Sequence, residues 1–469
     1  MDRESLYTLL LNKFGFAPTQ GQATALRHVA AFLLSRKHHP TYILRGYAGT
    51  GKTSLTTAIV NTLPLIGMSH VIMAPTGRAA KVIAGYTRKQ ASTMHKRLYM
   101  ASTMPDGTIR MARSQNKRKN TLFIVDEASM ISESHDFGSH SLLDDLIEHV
   151  FSGENCRLLL IGDSAQLPPV ESEDSPALDI DYLKSNYDLT IAQYELTEVM
   201  RQTLQSGILA TATQLRERMS FDEYEYQLPL FNITSYDDIK RIEPETFEEL
   251  LYRSFDTDAD AVVVCKSNKR TNMFNQAIRS RILNIEGEIA TGDKIMVVKN
   301  SYFWNDTDNN INFLANGDMA VIEKISKFEE MYGFHFADID ISLTDYPECP
   351  KMTVKILLDT LNSESPALTR EEWQRLAAAV EEDYMDITNR RERYSEMKKN
   401  PWFNALQVKF AYALTCHKTQ GGQWQTVFID SSFNLKDSLE RSDLRWIYTA
   451  LTRAREKVYL VNFKDEFFA

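Results

Sequence analysis

Short apolar runs alternate with amphipathic segments along the first 200 residues of the chain. The runs predict four strands, at residues 42–44, 71–73, 122–125 and 158–161. The segments between them predict helices that begin near Gln20, Lys52, Gly77, Ser92 and Leu142. Strands that alternate with helices favour a parallel sheet with helices on both faces.

A second alternating unit begins near residue 204. It is predicted to contain a helix at 204–218, a strand at 261–265 and a helix at 269–283, and to resume with a strand at 426–430, a helix at 439–453 and a strand at 457–461. Residues 286–404 interrupt this unit with short strand-like pieces and glycine turns, which predict a small antiparallel barrel. A highly charged run at 370–399 predicts a helical arm.

The composition is that of a folded protein with two to four domains. The 469 residues are 43% hydrophobic and 25% charged, which excludes collagen, coiled coil and wholesale disorder. No apolar run is long enough to span a membrane, and the N-terminus lacks the pattern of a signal peptide. The four cysteines form no CxxC pair, which argues against a disulfide framework or a zinc site, so we expect a cytoplasmic protein.

The charge is unevenly distributed along the chain. The net charge of −10 argues weakly against nucleic acid as a partner. However, residues 78–119 contain eleven Lys and Arg and one acid, whereas residues 221–260 contain twelve acids and three bases. The basic block is either a phosphate-binding surface or a solvated loop, and charge alone does not distinguish the two.

Residues 46–53 read GYAGTGKT, between a predicted strand and a predicted helix. The glycines let backbone N–H groups wrap a phosphate at a helix N-terminus. In such a loop Lys52 reaches the β- and γ-phosphates, and the Thr53 hydroxyl binds Mg²⁺. The alternative is a glycine turn that merely precedes a helix.

Two further strands end in polar residues. The strand in TLFIVDEASM (121–130) ends in Asp126, which would hold Mg²⁺, and Glu127, which would orient and deprotonate water. The strand RLLLIGD is followed by Gln166, placed to sense the γ-phosphate. Each motif also has a structural alternative: the acids after the first strand would only cap a helix, and Gln166 would be a loop amide without a functional role. Together with the glycine loop, they predict hydrolysis of a nucleoside triphosphate.

An ordered set of motifs resembles the superfamily 1 helicases of the RecD/Dda type. The set is GYAGTGKT, APTGRAA (74–80), ASTMH (91–95), DEAS (126–129), GDSAQLPPV (162–170), LTEVMRQ (196–202), TCHKTQGGQW (415–424) and YTALTRAREKVYL (448–460). The resemblance implies an α/β fold with two RecA-like P-loop domains, a small β-hairpin insertion in the first, and an SH3-like β-barrel plus helical insertion in the second. The implied bounds are 1–96 and 120–200 for the first core domain, 97–119 for the hairpin, 201–285 and 405–469 for the second core domain, and 286–404 for the barrel with its helical arm.

The same resemblance implies an ATP site between the two core domains, with Mg²⁺. Arg201 and Arg453 resemble arginine fingers, and Lys52, Glu127 and Gln166 complete the catalytic set. The implied ATP contacts are Gln22 at the adenine, the loop residues Gly49, Thr50, Gly51, Lys52 and Thr53, and Gln420 and Gly421 from the second domain. The implied metal ligands are Thr53 and Asp126. The alternative for each arginine is a surface ion pair.

The resemblance also implies single-stranded DNA across both domains, contacted by Pro75, Thr76, His95, Ser267, Asn268, Thr415, His417 and Lys418. A histidine near a strand end is otherwise a packed or capping residue. Residues 98–113 predict a hairpin that turns at Asp106 and Gly107, with Met104 and Pro105 at its tip. It resembles the wedge of the 5′-to-3′ branch, because the chain has no room here for the large helical insertion of the UvrD/PcrA type.

The sequence therefore predicts an ATP-dependent helicase that moves 5′-to-3′ on single-stranded and forked DNA, and that works as a monomer. Three alternatives stay open: an ATPase that translocates without separating strands, a nucleic-acid scaffold that has lost hydrolysis, and a 3′-to-5′ helicase. The scaffold is disfavoured because the implied catalytic and metal-binding residues are intact, namely Lys52, Asp126, Glu127, Arg201 and Arg453.

Overall fold

A computed structural model describes residues 1–103, 109–133, 140–170, 172–199, 206–221, 226–256, 260–305, 313–346, 348–431 and 438–469. The strands up to residue 199 are β1 (Pro40–Gly46), β2 (Ser69–Ala74), β3 (Ala91–Thr93), β4 (Tyr99–Thr103), β5 (Ile109–Arg113), β6 (Thr121–Val125), β7 (Arg157–Gly162) and β8 (Thr190–Leu196). The helices here are α1 (Arg3–Phe14), α2 (Gln20–Leu33), α3 (Lys52–Thr62), α4 (Gly77–Thr87), α5 (Met94–Leu98), α6 (Leu142–Phe151) and α7 (Ile180–Asn186).

Six of these strands form a parallel sheet in the order β3-β2-β6-β7-β1-β8, which we call the first unit together with its helices. Every residue of β6 and of β7 is buried, as expected for strands with helices on both faces. The order places the carboxyl ends of β1, β6 and β7 side by side, and ligands bind at such edges. β4 and β5 form a separate antiparallel hairpin.

The later strands are β9 (Tyr226–Gln227), β10 (Ile239–Ile242), β11 (Ala261–Cys265), β12 (Lys294–Val297), β13 (Met319–Met331), β14 (Phe334–Leu343), β15 (Met352–Leu357), β16 (Leu406–Phe410), β17 (Ala413–Thr415), β18 (Trp424–Asp430), β19 (Ser438–Leu439) and β20 (Ala454–Val461). The later helices are α8 (Gly207–Met219), α9 (Pro244–Asp256), α10 (Asn268–Ala277), α11 (Arg370–Glu382), α12 (Arg390–Met397), α13 (Cys416–Thr419) and α14 (Arg441–Leu451). A second parallel sheet has the order β10-β20-β18-β11-β17, and we call it and its helices the second unit.

Strands β12 to β16 close into a barrel inserted in the second unit. Gly317 adopts φ +98° in the turn before β13, a conformation that favours glycine, and the Asp318 carboxylate accepts the Ala315 N–H at 2.7 Å. Helices α11 and α12 pack against the barrel through an apolar cluster that includes Phe334, Leu376 and Met397.

The fold class predicted from the sequence is confirmed: two parallel-sheet units, a hairpin in the first and a barrel in the second. Several details differ. β8 and β10 were not predicted, because neither stands out as an apolar run. Leu314 forms only an isolated bridge with Ser301, so the residues just before β13 are a turn and not one of the predicted strand-like pieces. The charged run 370–399 breaks into two helices.

The expected bounds of the insertion also differ from the pairing of the strands. β16 hydrogen-bonds in the barrel, although it lies beyond residue 404, where the sequence-based boundary was drawn. Among the described residues, no helix has both the length and the apolar character needed to cross a bilayer. All four cysteines are free thiols.

Candidate functional site

The glycine-rich loop joins the end of β1 to the start of α3. Gly49 and Gly51 have φ of +75° and +89°, and a Cβ on Gly51 would lie 2.5 Å from the Gln22 Nε2. A Cβ on Gly46 would lie 2.9 Å from the Thr50 Oγ1. The loop therefore needs glycine at these places, and it leads into the amino end of α3, where the helix dipole favours an anion.

Lys52 is the first residue of α3, and its ammonium lies over the loop. Its Nζ donates to the carbonyl of Gly46 at 2.5 Å and to that of Tyr47 at 3.0 Å. The carboxylate of Asp163, after β7, lies 3.9 Å from the Nζ, close enough for charge attraction but beyond a hydrogen bond. Lys52 is thus held where the phosphates of a bound nucleotide would draw it away.

Asp126 and Glu127 follow β6 beside Lys52. Burial, and then the charge of Glu127, raise the pKa of Asp126 to about 7, while Lys52 acts in the opposite direction. Glu127 has φ +53°, a strained conformation of a kind that clusters at functional sites. A buried carboxylate with too little positive charge beside it suits a divalent cation, and the Thr53 hydroxyl offers a second oxygen ligand in the same cavity.

A cavity of about 570 Å³ lies between the two units, a volume typical of small-molecule sites. The first unit contributes loop, acid and amide side chains, and the second unit contributes arginines and their neighbours. The lining includes Gly49, Gly51, Lys52, Thr53, Asp126, Glu127, Asp163 and Gln166 from the first unit, and Gln423, Thr452, Arg453 and Arg455 from the second. The structure thus brings together most of the residues that the sequence assigned to catalysis and metal binding.

The cavity lining includes Gln166 from the first unit and Arg453 from the second unit. The Arg453 guanidinium is 3% exposed and donates to the carbonyl of Thr449 at 3.0 Å and to that of Gly422 at 3.3 Å. The Gln166 Oε1 is buried and has no hydrogen-bond partner among the described residues, so it offers an acceptor to a ligand or a water. Arg201 lies outside the described residues.

Four of the expected ATP contacts do not line the cavity, namely Gln22, Thr50, Gln420 and Gly421. Thr50 is completely buried. The Gln22 amide accepts the Thr19 N–H at 3.0 Å and donates to the Thr50 carbonyl at 2.9 Å, so it supports the loop from behind. Gln420 donates to the Leu167 carbonyl at 2.6 Å. Gly421, at φ +72°, lies against the first unit, where a Cβ would approach the Ala79 Cβ to 2.7 Å. Their roles in binding ATP stay predictions.

The expected DNA contacts lie at the carboxyl ends of adjacent strands. In the first unit, Pro75 and Thr76 follow β2, and His95 follows the neighbouring β3. The second unit repeats this arrangement with Ser267 and Asn268 after β11. In the neighbouring β17, Thr415 is the last residue, and His417 and Lys418 follow it. The sequence patterns did not predict that residues of both sets also contact the barrel insertion.

Each of the two sets of expected DNA contacts includes a residue that contacts the barrel insertion. The His95 ring lies 6.1 Å from the Phe313 ring, and the Lys418 Nζ donates to the Asn316 side chain. Burial lowers the pKa of Lys418 to about 8 and also lowers that of His417. The barrel therefore borders the surface on which the sequence places DNA.

Three residues in or beside the cavity were not predicted from the sequence. Phe16, 75% exposed, stands at its edge. Asp163 and Tyr448 are buried and bonded to each other across the two units, at 2.7 Å. Both lie inside motifs already quoted, GDSAQ and YTALTRA, but their partners are far away in the chain and no local pattern indicates the pairing.

Comparisons with known proteins agree with this arrangement. A family model for an AAA domain matches residues 17–226, and one for a UvrD-like helicase C-terminal domain matches residues 410–461. The chain is 24% identical to the ATP-dependent DNA helicase dda of Enterobacteria phage T4, over 94% of this chain and 99% of that protein. It is 25% identical to the ATP-dependent RecD2 DNA helicase of Deinococcus radiodurans, over 90% of this chain but only 47% of that protein.

The chain is also similar to a solved structure, that of a Pif1 helicase from Bacteroides in complex with ADP-AlF3 and ssDNA. The TM-score is 0.49 and the identity 14%, with 97% of this chain and 95% of that chain covered.

Proposed function

We propose that this chain is a superfamily 1 helicase of the RecD/Dda type, which uses ATP and Mg²⁺ to travel 5′-to-3′ on single-stranded DNA and to separate duplex strands. The matched family models and the similarity to two ATP-dependent DNA helicases support this proposal. One observation carries this proposal. The phosphate loop and the acids of one unit share a cavity with an arginine of the other, so binding and hydrolysis of ATP can change how the two units sit.

The residues around the cavity have distinct roles in this proposal. Lys52 and the loop N–H groups bind the phosphates, and Thr53 and Asp126 hold Mg²⁺, which would neutralise charge on the transferring phosphoryl group. Glu127 accepts a proton from the attacking water, and the free Gln166 acceptor orients that water. Arg453 turns from its carbonyl partners toward the γ-phosphate. The exposed ring of Phe16 offers a stacking surface for the base.

DNA binding is proposed for the two sets of strand-end residues, Pro75, Thr76 and His95 in the first unit and Ser267, Asn268, Thr415, His417 and Lys418 in the second. Such contacts to backbone and base faces are largely independent of sequence. The β4–β5 hairpin follows His95 in the chain and precedes β6. In this proposal it acts as the wedge that separates the two strands at a fork. A monomer acting in the cytoplasm is part of the same proposal.

Unwinding of tailed duplexes tests the proposal directly. Duplexes with a 5′ tail, a 3′ tail or no tail are mixed with protein, ATP and Mg²⁺, and strand release is followed. We expect release only from the 5′-tailed duplex. Release from the 3′-tailed duplex would reverse the polarity, and DNA-stimulated ATPase without release from either would favour a translocase that does not separate strands.

A further inference from the structure

The loop at residues 163–167, which carries Gln166, is held from both sides by the second unit. The Leu167 N–H donates to the Thr449 Oγ1 at 2.8 Å, and the Leu167 carbonyl accepts from Gln420 at 2.6 Å. At the other end of the loop, the Tyr448 hydroxyl donates to the Asp163 Oδ2 at 2.7 Å. Residues of α14, together with Gln420, therefore hydrogen-bond to the segment that follows β7, directly beside the nucleotide cavity.

Tyr448 also contacts the phosphate loop itself. Its hydroxyl accepts the Ala48 N–H at 2.9 Å while it donates to Asp163. Both the tyrosine and Asp163 are almost completely buried, so neither bond competes with bulk water. Burial and the neighbouring Asp163 raise the pKa of Tyr448 far above its ordinary value, which keeps the hydroxyl protonated and able to donate.

The Asp163 carboxylate lies near two side chains from different units, Tyr448 of the second unit and Lys52 of the first. Its Oδ1 accepts the Ala165 N–H at 3.0 Å, and its Oδ2 accepts from Tyr448. With these two bonds in place, the Lys52 Nζ stays 3.9 Å away. If the units separate, the carboxylate loses the Tyr448 hydroxyl, and the Lys52 ammonium needs to move by only about 1 Å to bond to Oδ2 in its place.

We propose that Tyr448 is a positioning residue that couples closure of the two units to ATP affinity, by bonding to Asp163 and so keeping this carboxylate out of hydrogen-bond distance of Lys52. When the units open, Asp163 pairs with Lys52 and competes with the nucleotide for it, which favours release. The inference rests on the proposed function, because it assigns this pair a part in the ATP cycle. It also gives a reason for a buried acid beside the phosphate-binding lysine.

Steady-state ATPase kinetics with single-stranded DNA test the proposal, using the full chain. Tyr448→Phe removes only the hydroxyl. Because a hydrogen bond to a charged group is worth more than a neutral one, we expect KM for ATP to rise about tenfold. We expect kcat at saturating ATP to stay within about threefold, since no group that touches the phosphates is removed. A KM within twofold of wild type would overturn the proposal.

A matched control is available in the first unit. The Tyr42 hydroxyl is as deeply buried but has no hydrogen-bond partner among the described residues. Tyr42→Phe should therefore leave KM unchanged, and a rise equal to that of Tyr448→Phe would mean that loss of any buried hydroxyl disturbs the site. Thermal unfolding and DNA affinity without nucleotide are measured on both variants.

Asp163→Asn provides a test that does not depend on how well Tyr448→Phe folds. A neutral amide no longer attracts Lys52, so KM should equal or fall below the wild-type value. In the Asp163→Asn background, Tyr448→Phe should change KM by less than twofold. A KM more than threefold above wild type for Asp163→Asn, or the same rise for Tyr448→Phe in both backgrounds, contradicts the proposal. If wild type itself shows no ATPase, the proposed function fails before any variant is compared.

Discussion

The two sides of the nucleotide cavity are built differently. On the side of the first unit, Lys52, Asp126 and Asp163 each follow a strand of one sheet within a few residues, so the fold of that unit alone positions them. On the other side, Tyr448 and Arg453 come from α14 and the turn after it. They reach the cavity only because α14 packs across residues 163–167.

This difference assigns the binding of phosphate and cation to the first unit, and the coupling of ATP hydrolysis to docking of the units to the second. The first side has what is needed to hold a phosphate and a cation, whatever the position of the second unit. The second side contributes its groups only while the units are docked. Substitutions on the first side should therefore remove the binding of phosphate and cation, whereas those on the second side should remove the contributions that depend on docking of the two units.

The largest effect is expected from Lys52→Ala. Removing the ammonium that lies over the phosphate loop should lower DNA-stimulated ATPase by about 10³-fold or more. Affinity for single-stranded DNA in the absence of nucleotide should stay within twofold, measured by fluorescence anisotropy. Turnover that persists in this variant would remove the phosphate loop from the mechanism.

Arg453→Ala tests the most important residue of the second side. An arginine that stabilises the transferring phosphoryl is worth about 10³-fold in kcat, and we expect a loss of that size with KM changed by less than about threefold. Arg241→Ala is the control, since Arg241 lies at the edge of the second sheet and pairs with Asp465. An equal loss in both variants would point to damage to the second unit rather than to catalysis.

Gly421→Ala tests the contact between the units with a smaller change. At φ +72° the alanine is strained, and its Cβ would meet the Ala79 Cβ at 2.7 Å and the Thr76 Oγ1 at 3.0 Å, which forces the units apart. We expect stimulation of the ATPase by DNA to fall about tenfold. Gly292→Ala has a similar φ of +91° with nothing within 4 Å, so it costs about 1–2 kcal/mol of stability from the same strain without the clash. If both variants keep full stimulation, close contact at Gly421 is not required.

The smallest effect concerns Lys418 and pH. Its pKa of about 8, lowered by burial, means that the ammonium is charged at pH 7 and mostly neutral at pH 9. Because only the charged form binds phosphate, raising the pH over this range should weaken binding of single-stranded DNA a few-fold and lower the salt slope by up to about one. Lys418→Gln should remove most of this pH dependence, and an unchanged pH profile in that variant would exclude Lys418 as its source.

Much of the fold and part of the site could be predicted because they depend on local patterns. Four of the predicted strands fall inside β1, β2, β6 and β7, since a buried parallel strand is a continuous apolar run. The acids of DEAS and the glycine loop could be placed for the same reason, as both follow such runs. The strand β16 could not be assigned to the barrel, because its partners β12 and β15 lie far earlier in the chain.

The orientation of polar side chains was beyond the sequence. Gln22 sits in the expected motif, but its amide serves Thr19 and Thr50 rather than the cavity. Gln420 likewise bonds to Leu167 in the first unit. An amide can bond with either end to whatever lies near it, and only the packed structure decides which partners those are.

The sequence by itself determined most of the buried strands, the order of the units and the chemical groups at the ends of the first sheet's strands, because hydrophobic periodicity and glycine loops are local properties. Only the tertiary structure decided what the second unit brings to them. Tyr448 and Ala48 are separated by 400 positions in the chain, yet their hydroxyl and N–H meet. Such a contact depends on how two separately folded sheets dock, and no short-range pattern encodes that.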